Sequence, residues 1–121
     1  MTKISPSILS ADFASLISDV NDVKSAGADY LHIDVMDGQF VPNISIGVPV
    51  VKSLRRATDM FLDVHLMVDR PQRFIVPFSE AGADLMTFHL EAGQPQEIFE
   101  AITVAKLCGK KVGLSLKPKT P

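Results

Sequence analysis

A single cysteine, Cys108, is all the thiol chemistry in these 121 residues. One cysteine excludes an internal disulfide. Its place behind Ala105 and Leu107, at the end of an expected helix, reads as a small buried hydrophobe rather than a nucleophile. Long hydrophobic runs are also missing. The opening Met1-Thr2-Lys3-Ile4-Ser5-Pro6 has no apolar stretch of signal-peptide length, and nowhere do roughly 18 apolar residues follow one another. Charge of one sign is scarce too: 14 acidic and 12 basic residues leave a net charge of −2, with no basic block longer than Arg55-Arg56 or Lys110-Lys111. That gives no electrostatic footprint for nucleic acid or a membrane surface. The expectation is a soluble, cytoplasmic protein of one domain, and 46% hydrophobic residues suffice for a real core.

What is present is a regular alternation of apolar strands and amphipathic helices. Residues 3–9 form a short apolar run broken by Pro6, suited to an irregular strand, and Ser10 stands where an N-cap is expected. Phe13, Leu16, Ile17, Val20 and Val23 then fall at helical spacing, with Gly27 as a left-handed cap. A strand over 30–36 leads through Asp37-Gly38 into a loop of about a dozen residues, long enough to suggest a functional role. Pro49 opens a helix with Val50, Val51 and Leu54 inward. A strand over 60–68 runs into Asp69-Arg70-Pro71, read as an N-cap aspartate and a first-turn proline. Phe74, Ile75 and Phe78 form the next buried stripe, in a helix that Pro77 kinks or shortens. A strand over 85–90, a helix from Pro95 with Ile98, Ala101, Ile102 and Ala105 inward, and a fifth strand over 111–117 complete the series.

Ala26-Gly27-Ala28-Asp29 returns 55 residues later as Ala81-Gly82-Ala83-Asp84. With strand starts near 3, 30, 60, 85 and 111, the repeating unit is one strand plus one helix, and 55 residues are two units. Such units imply right-handed crossovers and a parallel sheet. An open dinucleotide-binding sheet would carry a glycine-rich turn after its first strand, but Leu9-Ser10-Ala11-Asp12 has no glycine. The better reading is a (β/α)8 TIM-barrel type fold, here a half-barrel of about four βα units plus a fifth strand. A whole barrel takes about 250 residues, so the chain reads as truncated.

On the strand at 30–36, His32, Asp34 and Met36 share a face; on the strand at 60–68, His65 and Met67 do. In a barrel, consecutive strands are neighbours and the chemistry lies at their carboxyl ends, so His32, Asp34 and His65 would converge as ligands for one Zn²⁺, Fe²⁺, Mn²⁺ or Co²⁺ ion. By spacing alone this is a weak signal, and core histidines satisfied by neighbouring carboxylates are the more usual explanation of such a pattern. His89 could face the barrel mouth or be a hydrogen-bonded structural residue. Met36 and Met67 are core fillers by default, or pocket walls beside a metal. Ser7 could meet a ligand or a backbone group, Asp37 reads as a turn residue, and Lys117 could reach a phosphate.

Ser5-Pro6-Ser7-Ile8-Leu9-Ser10-Ala11-Asp12-Phe13, the block His32-Ile33-Asp34-Val35-Met36-Asp37-Gly38-Gln39-Phe40-Val41-Pro42-Asn43, and Asp63-Val64-His65-Leu66-Met67-Val68 resemble, in order, the signatures of ribulose-phosphate 3-epimerases. The resemblance continues through Ala81–Asp84 and Thr87-Phe88-His89-Leu90-Glu91-Ala92 to Gly113-Leu114-Ser115-Leu116-Lys117-Pro118. It implies an isomerase of the pentose phosphate pathway that interconverts D-ribulose 5-phosphate and D-xylulose 5-phosphate with one divalent metal ion. Residue by residue, it implies His32, Asp34 and His65 as metal ligands and Asp34 also as an acid–base catalyst. Ser7, His65, Met36 and Met67 are implied as substrate-contacting positions. Residues 1–121 would be the amino-terminal half of the family's chain. A second catalytic aspartate and the phosphate-binding loops belong to the other half, so this chain alone is expected to have little activity. A homo-oligomer is expected as well. The alternatives are a related epimerase of hexulose phosphates, a non-catalytic self-associating half-barrel, and a two-histidine-one-carboxylate iron oxygenase, which fits only the ligand count.

Overall fold

A computed structural model describes residues 1–121. Four parallel strands, β1 (Tyr30–Met36), β2 (Phe61–Met67), β3 (Leu85–His89) and β4 (Lys111–Ser115), are hydrogen-bonded in sequence order. Helices α1 (Leu16–Ser25), α2 (Val48–Ala57), α3 (Ile75–Ala81) and α4 (Pro95–Leu107) alternate with them. This is the half-barrel pattern expected from the repeat.

Four regular strands form where five were expected. The segment Ile4–Ser7 runs parallel beside β1: Ile4 accepts from the N–H groups of Asp29 and Tyr30 at 2.9 and 3.1 Å, Pro6 accepts from His32 N–H at 2.9 Å, and Ser7 bridges to His32. Pro6 has no N–H to donate, which interrupts a regular ladder. The chain then turns into a 3-10 turn at Ile8–Ser10.

Several local expectations are corrected at the same place. Ser10 lies inside that 3-10 turn; capping falls to Ser7, whose hydroxyl accepts from Leu9 N–H, and to Asp12, which accepts from Ala14 N–H. The α-helix starts only at Leu16, after a second 3-10 turn at Phe13–Ser15. That changes which residues face inward: Val20 is buried, Leu16 and Val23 pack against the core, and Phe13 and Ile17 are 48% and 40% exposed. Further along, Arg70 (φ 48°), not Asp69, occupies the N-cap position of the turn at Pro71–Arg73. Cys108 is half-buried rather than buried, and β4 ends at Ser115.

The core lies between the sheet and the helices. Leu31, Ile33 and Val35 of β1, Leu62, Val64 and Leu66 of β2, and Met86 and Phe88 of β3 meet Val20, Val51, Leu54, Ile75, Phe78, Ile98, Ala101 and Ala105 from the four helices. Removing a Val, Leu, Ile, Met or Phe side chain from water stabilises the fold by about 1.5–3 kcal/mol. The α2, α3 and α4 stripes thus behave as their spacing predicts.

The repeated tetrapeptide has a physical role. Gly27 and Gly82 follow α1 and α3 at φ 99° and 117°, a region that favours glycine. Two residues later, Asp29 accepts the N–H of Ile4, and Asp84 accepts that of Leu62, each at 2.8 Å. Both aspartates therefore hold the start of the preceding extended segment. Arg55 braces the second of them, donating to Asp84 at 2.9 Å and to the carbonyls of Thr58 and Met60 at 2.8 and 2.7 Å.

Candidate functional site

In-register pairing of β1 and β2 sets Asp34 beside His65 and His32 beside Asp63. Side chains of alternate residues point away from the helices, so four polar groups meet on the other face of the sheet. Asp34 is at the centre. Its Oδ1 lies 3.0 Å from His32 Nε2 and 3.1 Å from His65 Nδ1, and its Oδ2 accepts the Ser7 hydroxyl at 2.6 Å. His32 Nδ1 lies 2.8 Å from Asp63 Oδ2, which also accepts the Ser5 hydroxyl at 2.9 Å. His65 Nε2 meets His89 Nε2 at 2.8 Å.

The site is half-buried, and its charges are strongly coupled. Hydrogen bonds to Asp34 and Asp63, one on each ring nitrogen, raise His32 to a pKa of about 10. Burial works against ionisation of Asp34, but hydrogen bonds from His32, His65 and Ser7 outweigh it and hold the carboxyl far below its usual range. Asp63 is likewise pushed up by burial and more strongly down by His32 and Ser5. His89 is lowered, first by burial and then by neighbouring His65.

The long loop is tied to the site from below. Ser45 donates its hydroxyl to the Asp34 carbonyl at 2.7 Å and accepts the Met36 N–H at 2.9 Å. Asp37 is a turn residue, as expected: its Oδ1 accepts from the N–H groups of Gln39 and Phe40, and its Oδ2 from that of Asp69, all within 2.9 Å. Burial opposes its ionisation, and these backbone donors reverse that and lower its pKa.

Of the residues singled out in the sequence, Ser7, His32, Asp34 and His65 meet directly. Met36 and Met67 are register partners at the carboxyl ends of β1 and β2, both half-buried. His89 is both things the sequence left open, hydrogen-bonded and at the edge of the site. Lys117 stands apart, its ammonium 4.0 Å from the centre of the Phe40 ring. Asp63 is the residue that sequence reasoning passed over, although it shares its parity along β2 with His65 and Met67 and could have been found on that ground.

His32, Asp34 and His65 can each offer one ligand atom, and these atoms all lie within 4.8 Å of one another. The donor set fits a divalent ion on a second count as well: the other ring nitrogen of each histidine already has a partner, Asp63 for His32 and His89 for His65. Metal-bound imidazoles are characteristically oriented in this way. Ligation needs the Nε2 lone pair of His32, so ion and proton compete for that atom.

Residues 3–121 match the model of the ribulose-phosphate 3 epimerase family. The chain belongs to this family. Among curated epimerases it is 50% identical over 121 residues to ribulose-phosphate 3-epimerase of Bacillus subtilis, covering 100% of this chain and 55% of that one. It is 47% identical to the cytoplasmic isoform of Oryza sativa, covering 98% and 52%, and 48% identical to the chloroplastic ribulose-5-phosphate-3-epimerase of Arabidopsis thaliana, covering 98% and 42%. The chain thus spans about half the length of the curated epimerases it matches. Among solved structures, a Yersinia pestis DHPS with a pterine-sulfa conjugate superposes with a TM-score of 0.69 at 20% identity, covering 98% of this chain and 46% of that one. The 7,8-dihydropteroate synthase of Vibrio fischeri gives 0.67 at 15%, covering 99% and 47%. At that identity the likeness is one of fold alone.

Proposed function

We propose that this chain carries the metal-holding face and one acid–base group of a ribulose-phosphate 3-epimerase, acting between D-ribulose 5-phosphate and D-xylulose 5-phosphate. The observation that carries the reading is the convergence of His32, His65 and Ser7 on Asp34 in a chain of this family. Inverting C3 of a 2-ketose requires removal of a proton beside a carbonyl and return of one to the opposite face. Asp34, ionised at neutral pH, is in the state that accepts the first proton. Its imidazole donors weaken it as a base, and they are withdrawn when His32 and His65 present lone pairs as ligands. Ser7 is then placed to bind substrate beside the Asp34 carboxylate, and Met36 and Met67 to wall the pocket against water. His32, Asp34 and His65 would hold a divalent ion, which would supply Lewis-acid stabilisation of the negative charge left by proton removal; Zn²⁺, Fe²⁺, Mn²⁺ and Co²⁺ all suit two imidazoles and a carboxylate.

Residues 1–121 form one domain that corresponds to the amino-terminal half of the epimerase chain. Asp63 is paired with His32 and Ser5, and the second acid–base group that inversion at C3 calls for is not among the residues that converge on Asp34. Low turnover by the 121-residue chain is therefore expected. A coupled assay for xylulose 5-phosphate, run with anomalous scattering at the His32–Asp34–His65 site, tests both parts: an ion at the site with little turnover supports the reading, and an absent ion or full family-like turnover defeats it.

A homo-oligomer is part of the proposal. The outer edge of β4 is unpaired, and Leu114 and Leu116 beside it are 48% and 54% exposed. Parallel-strand edges of this kind favour a second copy as cover; a stable monomer in sedimentation at micromolar concentration would argue against it. We place the protein in the cytoplasm, the location named for the rice relative. No helix is long and apolar enough to cross a membrane.

A further inference from the structure

We propose that His89 and Glu91 are positioning residues that fix the tautomer of His65 and so turn its Nδ1 lone pair toward the ion site. The inference rests on the reading that His32, Asp34 and His65 hold a divalent ion, and it assigns a role to two residues that reading leaves unused.

The geometry supplies the argument. The ring centres of His65 and His89 are 5.0 Å apart with planes inclined by 25°. The 2.8 Å contact between their Nε2 atoms and the two ring radii account for that separation, so the rings meet end to end through one hydrogen bond rather than stacking. Only one of the two nitrogens can carry the shared proton. For His65 to ligate through Nδ1, the atom facing Asp34, its proton must sit on Nε2 and be donated to His89 Nε2. His89 must then carry its own proton on Nδ1.

That nitrogen and Glu91 Oε1 are both buried without a hydrogen-bond partner, and they lie 3.5 Å apart. A proton on His89 Nδ1 directed at the Glu91 carboxylate would let a small approach from 3.5 Å satisfy both atoms. The opposite assignment sets a lone pair against a carboxylate and leaves both atoms unpaired, which buried polar groups tolerate poorly. Glu91 is held for this task through its other oxygen. Oε2 accepts the Lys117 N–H at 2.8 Å and the Thr120 hydroxyl, so the segment after β4 fixes the carboxylate that fixes the ring. On the open side, Phe40 from the long loop covers His89 with ring centres 5.1 Å apart.

Glu91→Gln tests the order of protons without removing bulk. Its amide oxygen is drawn to the two donors from Lys117 and Thr120, which turns the NH₂ group toward His89 Nδ1 and reverses every proton up to His65. His89→Phe keeps a ring and removes the acceptor, and His89→Gln restores an acceptor near the lost Nε2. Zn²⁺ alone is titrated into each 121-residue chain in competition with a chromophoric chelator, and ¹⁵N-histidine spectra read the tautomers. Folding of each variant is checked by circular dichroism. In zinc-loaded wild type, His65 should coordinate through Nδ1 with its proton on Nε2. Glu91→Gln and His89→Phe should each weaken Zn²⁺ about 10–100-fold, with His89→Gln recovering most of the loss. Affinities of Glu91→Gln and His89→Phe within about two-fold of wild type, with His65 still ligating, overturn the proposal and leave the ion site intact. Wild-type spectra in which Zn²⁺ never reaches His65 overturn the ion site itself. If His89→Phe fails to fold, Glu91→Gln alone decides.

Discussion

β1 and β2 each carry two surfaces built on opposite principles. Toward the helices, Leu31, Ile33, Val35, Leu62, Val64 and Leu66 are almost wholly removed from water. Toward the other face, His32, Asp34 and His65 keep partial access to solvent while Asp63 is buried, and each of the four is paired with at least one of the others. The apolar surface is non-directional and supplies stability; the polar surface is directional and gives little net stability, because desolvation offsets much of what pairing gains. Fold and chemistry are thus separated by residue parity along the same strands.

The sharpest test of this division is Phe88→Ala. Phe88 is fully buried on the helix side, and its truncation should cost about 3–5 kcal/mol of unfolding free energy in urea titrations. The folded fraction should still bind Zn²⁺ with near-normal affinity; a site that fails together with the core would break the comparison. Asp63→Asn should do the reverse. It removes the negative charge from the partner of His32 Nδ1 and should weaken Zn²⁺ about 10–100-fold in the chelator assay. Its stability cost should stay below that of Phe88→Ala, near the 1.5–3 kcal/mol of a hydrogen bond to a charged group.

The pH dependence sharpens the same contrast. His32 is raised from 6.5 to about 10, so its contribution to the metal-free fold is complete below pH 6.5, declines above it and is lost by about pH 10. Asp34 and Asp63 are lowered from 3.8, so theirs is complete above that value and lost as pH falls through their depressed values. In chelator, urea midpoints should therefore be highest between these limits and fall toward alkaline pH. Zn²⁺ affinity should rise over the same alkaline range as His32 gives up its proton. Midpoints that do not fall above neutral pH would contradict the His32 pairing. The smallest effect is expected from Ser7→Ala, which loses one hydrogen bond to Asp34 and a turn cap, about 1 kcal/mol in thermal denaturation.

Much of this was legible in the sequence because period 2 and period 3.6 are local signals. The strands around His32 and His65, the alternation with helices and the βα repeat could all be read from residue order. Register could not: that Asp34 lies opposite His65 rather than one residue away is decided by seven paired positions at a sequence separation of 31. The misreading of Phe13 and Ile17 has a related cause, since helical spacing assigns an inward face only once the start of the helix is known, and two 3-10 turns delay it to Leu16. The partnership of Glu91 with Lys117 and Thr120 joins loops that no periodicity connects.

The two aspartates of the repeated tetrapeptide act at the end of the sheet remote from the chemistry, yet they set its alignment. Asp29 latches the segment that delivers Ser7 to Asp34, and Asp84 latches the strand that delivers His65 to His89. A slip of one residue at either latch would turn the delivered side chain to the opposite face of the sheet. The accuracy of the site is therefore a matter of phase: it is written at the amino-terminal ends of the strands and carried along them to the histidines, which makes Asp29 and Asp84 as consequential for the chemistry as residues that touch it.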